Sequence, residues 1–356
     1  MATFPDIVID PYLVCLPREP ESPDQLDKFV ENLLSWSELL QRDEVKTFFP
    51  ESCILSLFEE GHYPYGHEFR DMARRLGANH LADDFVCRVA QYVVDRTPTL
   101  EARCSINIVV FDEASCRIDP EIYLTRLAAK IGWGFKHGLA VVACCGKKNP
   151  EKTFLLASAR SAPEDAFRDT EIQISAQVEG VDTAVDAEFW RETLPIGVEQ
   201  SLPVAFSRDS VLEHLGCLRL WGTAESAADA RDAIATRINE LLAVGTGGGS
   251  AVKTFRLGAQ LLESARKNAF GSRSDLAMNL IESSARILLG VPKNPVEAFR
   301  EDERPTSAQR RRADGAIAWR THLTKHGAAF RLMFWELADG TIEFANVGQK
   351  SELEIF

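Results

Sequence analysis

The hydrophobic residues of this chain change their period three times, and that constrains the fold more than any motif does. Up to about residue 100 the period is helical. "SPDQLDKFVENLLSWSELLQ" places Leu26, Phe29, Val30, Leu33, Leu34 and Leu40 on one face, with Ser22 as cap and Pro23 at the first helical position. "EFRDMARRLG" and "HLADDFVCRVAQYVVDR" predict two more helices. From residue 101 the pattern turns to strands. "SINIVVF", "LAVVACC" and "TFLLASA" read as buried strands, "PEIYLTRLAAKIG" as a helix, and "TEIQISAQVEG" alternates with period two. From Ser226 helices return in "SAADARDAIATRINELLAV", "AVKTFRLGAQLLESARKNA" and "SDLAMNLIESSARILLG", the first two joined by "GTGGGS". The tail "FRLMFWELADGTIEFANV" predicts a β-hairpin turned at Asp339-Gly340, with "ELEIF" as a possible third strand.

Strands joined through short turns favour an α+β fold over a doubly wound nucleotide-binding sheet. At 356 residues the chain exceeds one ordinary core. The period changes divide it into an acidic helical region (1–100), a mixed-sheet α+β region (101–222), a helical segment (223–292) and a basic C-terminal module (293–356).

Composition is that of a globular protein, 45% hydrophobic and 26% charged. The start "MATFPDIVIDPYLVCLPREPE" has no basic region leading into an apolar one, and no apolar run reaches membrane-spanning length, so a cytoplasmic location with no membrane is expected. The eight cysteines are scattered without C-x2-C spacing, which points to buried reduced thiols rather than zinc or a disulfide framework. Charge is uneven. Residues 1–120 hold 22 acids and 11 bases, residues 121–222 hold 14 and 11, and residues 223–356 hold 17 and 18. An acidic front repels nucleic acid, while the back tolerates anions locally.

Several short motifs have plainer readings than the chemistry they imitate. "GTGGGSAVKT" lacks the Gly-Lys-Ser/Thr ending and preceding strand of a phosphate loop and reads as a hinge. Asp24 with Glu44 and Lys46 imitates a metal-nuclease pattern, but Asp24 opens a helix, where an acid suits the positive terminus. His62 and His67 flank an aromatic turn, and no third metal ligand stands nearby.

The charged stretch "RRRADGAIAWRTHLTKHG" carries the functional expectation. From Arg304 to Arg331 six arginines and a lysine face one acid, Asp314. A helix from Asp314 onward would leave Arg310, Arg311 and Arg312 exposed at its start, opposing the helix dipole. An anion is then expected at Arg310, Arg311, Arg312, Trp319, Arg320 and Lys325, the arginines binding phosphate and Trp319 stacking on a base. The plain alternative is that the protein's own acidic region neutralises the patch.

The spacing of an arginine and a following histidine resembles the signature of HEPN ribonucleases at Arg75 and His80, Arg208 and His214, and Arg320 and His326. The tail hairpin is similar over about 30 residues to the closing strands of RelE-type ribonuclease toxins, whose leading strand and helix pair are not evident upstream. These observations together predict a non-enzymatic subunit of a larger cytoplasmic assembly. It would bind nucleic acid or another polyanion through the tail and a protein partner through the acidic region, with no cofactor and no metal. Two alternatives stay open. One is a nuclease using Arg320, His322 and His326; the other is an adaptor that touches only proteins.

Overall fold

A computed structural model describes residues 5–356 except 41–45, 82–83, 161–170, 184, 186, 248–250, 303, 305, 325–328 and 353. The fold is α+β. The chain forms two compact units, Met1–Val211 and Leu212–Phe356.

The first unit is built on a seven-stranded mixed sheet. Its strands are β1 (Asp6–Ile9), β2 (Thr47–Phe48), β3 (Ile108–Phe111), β4 (Arg117–Asp119), β5 (Phe154–Ala157), β6 (Glu171–Asp182) and β7 (Ile196–Ala205). The order is β2-β1-β5-β7-β6-β3, with β4 also paired to β6. The β2-β1-β5-β7 half is parallel, whereas β6 runs antiparallel to β7, β3 and β4. β6 shows the expected alternation, with Ile172, Ile174, Ala176 and Val178 buried and Glu171, Gln173 and Gln177 exposed. β1 and β5 are buried at every position, as parallel strands covered on both faces are. The helix Pro23–Leu40 opens on proline as its spacing predicts, and packs on the helix Phe85–Arg96.

Several expectations are corrected in this unit. Residues 1–100 also supply β1 and β2, and β3 is a half-exposed edge strand. "PEIYLTRLAAKIG" is split between the helices Ile122–Thr125 and Ala129–Lys148. "LAVVACC" is not a strand but the end of a 20-residue helix, Ala129–Lys148, packed on β6, β7 and β3. A short apolar run is ambiguous between a buried strand and a helix buried all round, and here Leu139 to Cys145 are all buried. Two glycines let this helix approach the helix Glu51–Glu59 at backbone contact. A Cβ on Gly134 would lie 2.7 Å from the Ser52 carbonyl oxygen, and one on Gly138 would lie 2.8 Å from Pro50 Cβ. The Ser52 hydroxyl seals the contact by donating to the Gly134 carbonyl at 2.7 Å.

The second unit holds a five-stranded sheet: β8 (Phe255–Leu257), β9 (Val296–Ala298), β10 (Ile317–His322), β11 (Arg331–Glu336) and β12 (Ile342–Gly348). The order is β8-β12-β11-β10-β9, with β8 parallel to β12 and the other pairs antiparallel. The predicted hairpin is β11-β12, and within it Gly340 alone takes positive φ (82°), while the Asp339 carboxylate accepts the Thr341 N–H at 2.9 Å. The helix Ala227–Ala243 starts with a reciprocal Ser226–Asp229 capping box.

Three further expectations are corrected. "AVKTFRLGAQLLESARKNA" is not one helix but β8 followed by the helix Leu261–Lys267; Gly258 lies between them, where a Cβ would sit 3.1 Å from the Phe344 carbonyl oxygen. The helix Ser274–Leu288 follows, ahead of β9. The stretch from Asp314 is not a helix. Arg312 to Gly315 form a turn (Gly315 φ 86°) and β10 follows, burying Ala316 and Ala318 against Phe299, Met333 and Trp335. "ELEIF" contributes no strand among the described residues. The Gly248–Ser250 part of the glycine linker lies outside them.

Candidate functional site

The first unit contains a cavity of about 480 Å³ between β3, the long helix Ala129–Lys148, the start of the helix Glu51–Glu59 and the short helix Leu100–Cys104. Its walls are mostly apolar. Ile108, Val110, Phe111 and Trp133 form the sides, and Ile108, Val110 and Trp133 stand about half exposed at the rim. At the buried end lie Glu101, 3% exposed, and His137, 6% exposed.

The elements fix both groups. Thr99 caps the short helix through its side chain, accepting the Ala102 N–H, and Glu101 follows one residue inside. One carboxylate oxygen of Glu101, Oε2, accepts the Glu51 N–H at 2.8 Å, a donor that the first turn of a helix leaves open. His137 sits two turns into the long helix, and its Nε2 accepts the Val109 N–H of the edge strand at 3.1 Å. That bond settles the tautomer: the neutral ring carries its proton on Nδ1. Trp133, one turn earlier, stacks on the imidazole at 5.9 Å with 22° between planes, and its indole N–H donates to Glu113 at 3.0 Å.

Two polar atoms remain. Glu101 Oε1 and His137 Nδ1 are buried without a hydrogen-bond partner among the described residues, and they lie 3.9 Å apart. Burial raises the Glu101 carboxyl above the ordinary carboxylate range and lowers His137 below the ordinary imidazole range. The imidazole is therefore neutral near pH 7, and the two groups form no ion pair. An acceptor and a donor thus lie side by side on two of the residues that line the apolar cavity.

The C-terminal residues expected to bind anions are placed differently. Arg312 is clasped by Asp314 at 2.8 Å and Glu343 at 2.7 Å, with its guanidinium 5.1 Å from the Trp335 ring centre. Arg310 donates to the carbonyls of Arg300 and Glu301 and lies over Phe299. Arg320 faces Glu297 at 3.5 Å and the same Phe299 ring. These three arginines are thus engaged within their own unit. The carboxylate partners of Arg312 and Arg320 come from the same unit, Glu343 on β12 and Glu297 on β9. Arg311 is exposed and has no side-chain partner among the described residues. Trp319 is half-buried in β10. His322 is half-buried too, its imidazole held below the ordinary range by burial and by Arg331. Lys325 and His326 lie outside the described residues; Arg320 and His322 stand two apart on β10 and so share one face of that strand.

The other motifs resolve plainly. Asp24 is in the first turn of its helix; Glu44 lies outside the described residues. His62 shares a hydrogen bond at 2.9 Å with the Leu16 carbonyl, and its neighbour Tyr63 stacks on Phe58 at 4.1 Å. His80 pairs with Asp27 at 2.9 Å. No cluster of three metal-ligating side chains occurs among the described residues, and none of their helices is long and apolar enough to cross a membrane.

Sequence reasoning missed Glu101 and His137. The one available signal was an ionisable side chain inside an apolar helical run, His137 in "GFKHGLAVVACC", which the strand reading of that run concealed. Comparison with protein-family models, with curated proteins and with solved structures finds no match for this chain.

Proposed function

We propose that the first unit binds a small, flat, largely apolar organic molecule whose buried end carries a hydroxyl, or a carbonyl beside an N–H. Glu101 Oε1 takes the ligand's hydrogen and His137 Nδ1–H donates to its oxygen. The supporting observation is the pair of complementary unpartnered atoms at the end of the cavity. Burying either without a partner costs about 1–3 kcal/mol, a cost that a ligand bearing both functions removes. Phe111 and Trp133 offer rings for a flat molecule, and Ile108 and Val110 an apolar wall.

The test is a fragment screen by ligand-observed NMR on the full chain, comparing phenols and cyclic amides with the same rings lacking those groups. Binding should require the polar group, perturb Trp133 fluorescence, and weaken at least about tenfold in His137→Phe, the loss of one buried hydrogen bond. Equal binding by the stripped rings, or by the variant, removes the proposal. For the second unit, the polyanion reading narrows to Arg311 and its exposed neighbours. Low-salt nucleic-acid binding that survives Arg311→Glu unchanged removes it.

A further inference from the structure

A second pair of side chains joins the same two helices that carry the cavity's polar groups. Cys104 ends the short helix begun by Leu100, one turn after Glu101. Cys145 lies two turns beyond His137 on the long helix. Both are buried on helices that pack against each other, and Lys152 joins the two, touching Cys145 and the carbonyl of Arg103, the residue before Cys104. Lys152 Nζ stands 3.5 Å from Cys145 Sγ and is held there by the Arg103 carbonyl at 3.2 Å and by Asp6 at 3.7 Å. Asp6 in turn accepts two bonds from Arg103, at 2.6 and 3.0 Å.

We propose that Cys104 and Cys145 are a peroxide-sensitive dithiol, closing to a disulfide that pins the Glu101 element to the His137 element. The bridge itself is independent of the cavity's function; only its effect on binding rests on the ligand-binding reading above.

The pair is chemically unequal. The neighbouring Cys104 thiol and the Lys152 ammonium both lower the Cys145 thiol, whereas Cys104 is pushed up by Cys145 and by burial. Burial raises the other six thiols, at Cys15, Cys53, Cys87, Cys116, Cys144 and Cys217. Cys145 is therefore the attacking thiolate and Cys104 the resolving thiol. The Cys145 sulfur attacks one oxygen of hydrogen peroxide and the O–O bond breaks. The departing hydroxide recovers the proton that Cys145 had lost, giving water and a sulfenic acid. The Cys104 sulfur then attacks that sulfur, the S–O bond breaks, and a second water leaves with the Cys104 proton. Two thiols lose two electrons and one peroxide becomes two waters.

The experiment treats the reduced full chain with hydrogen peroxide, alkylates what remains, and maps peptides by mass spectrometry. The expected product is lighter by about 2 Da before alkylation, with one Cys104–Cys145 cross-linked peptide and six alkylated cysteines. Wild-type protein suffices for that result, so it does not depend on a variant folding. Eight alkylated cysteines, or a bridge through Cys144 or Cys53 instead, overturn the proposal. In Cys104→Ser, Cys145 should be trapped as the sulfenic acid by dimedone. In Lys152→Met, bridging near pH 7 should slow about tenfold; an unchanged rate overturns the role given to Lys152. Binding of a screened fragment should shift at least about threefold on oxidation, and an unchanged affinity overturns the coupling to the cavity while the mapped bridge stands.

Discussion

Glu101 and His137 make the first unit pH-sensitive from both sides. A carboxyl raised by burial keeps its proton in the folded chain just above the ordinary glutamate range, where the unfolded chain has already lost it. Stability therefore falls as pH rises through that window and stays lower above it. An imidazole lowered by burial works in the opposite sense. Just below the ordinary histidine range the unfolded chain takes up a proton that the folded chain refuses, so stability falls as pH drops there. Glu101→Gln removes the first slope and keeps an oxygen for the Glu51 N–H. It should stabilise the unit by about 1 kcal/mol at pH 8 while weakening ligand binding. Urea denaturation of both proteins across pH 4–9 (roughly the span of the two windows) checks it, and a Glu101→Gln protein less stable at pH 8 contradicts the assignment. Arg312 gives the contrasting residue-scale expectation. Its loss leaves Glu343, 8% exposed, with Arg256 alone. Arg312→Ala should cost about 1–3 kcal/mol and Arg311→Ala less than about 0.5, read from urea midpoints. Equal effects would mean that the clasp on Arg312 is not stabilising.

At the scale of elements, what was legible followed one rule. Where a segment is half-buried, its period shows in the sequence; where it is buried all round, the period vanishes. The alternating β6 and the amphipathic helix Pro23–Leu40 were legible for that reason. "LAVVACC" was not, and its preceding turns, "GWGFKHG", carry three glycines that argue against a helix by intrinsic preference. Tertiary packing overrides that preference here, because Gly134 and Gly138 admit the backbone of Pro50 to Ser52. The stretch "AIAWRTHL" fitted both periods until Gly315 and the pairing of β10 with β11 chose the strand. The site was illegible for a related reason. Glu101 and His137 are far apart in sequence, and only the packing of two helices against an edge strand brings them together. That packing can be tested directly. Gly134→Ala forces the long helix off the Ser52 carbonyl, and Gly138→Ala forces it off Pro50. Each should cost about 1–3 kcal/mol and weaken binding in the cavity, since Glu51 and Ser52 line it. Gly146→Ala on the same helix meets only the end of the Gln200 side chain, which can swing aside. It should be neutral or stabilising by up to about 1 kcal/mol. Thermal midpoints of the three variants decide between close helix packing and a general intolerance of alanine in this helix.

At the scale of the whole molecule, each unit has its own sheet and its own buried side chains. The first centres on β1, β5 and the long helix; the second on Phe270, Phe299, Trp335 and Phe344. Two cores of this kind are expected to unfold as two cooperative steps rather than one. A ligand that binds only the first unit stabilises that step alone, by about 2.7 kcal/mol at a hundred times its dissociation constant. Arg312→Ala, in the second unit, should shift the other step alone. Calorimetry of the full chain with and without a fragment from the screen, and again with Arg312→Ala, separates the two effects. One step moving with ligand and the other with the variant assigns the cavity to the first unit and the arginine clasp to the second. A single transition that moves with both would mean that the two units unfold as one, and no ligand-induced shift would count against Glu101 and His137 as the binding pair.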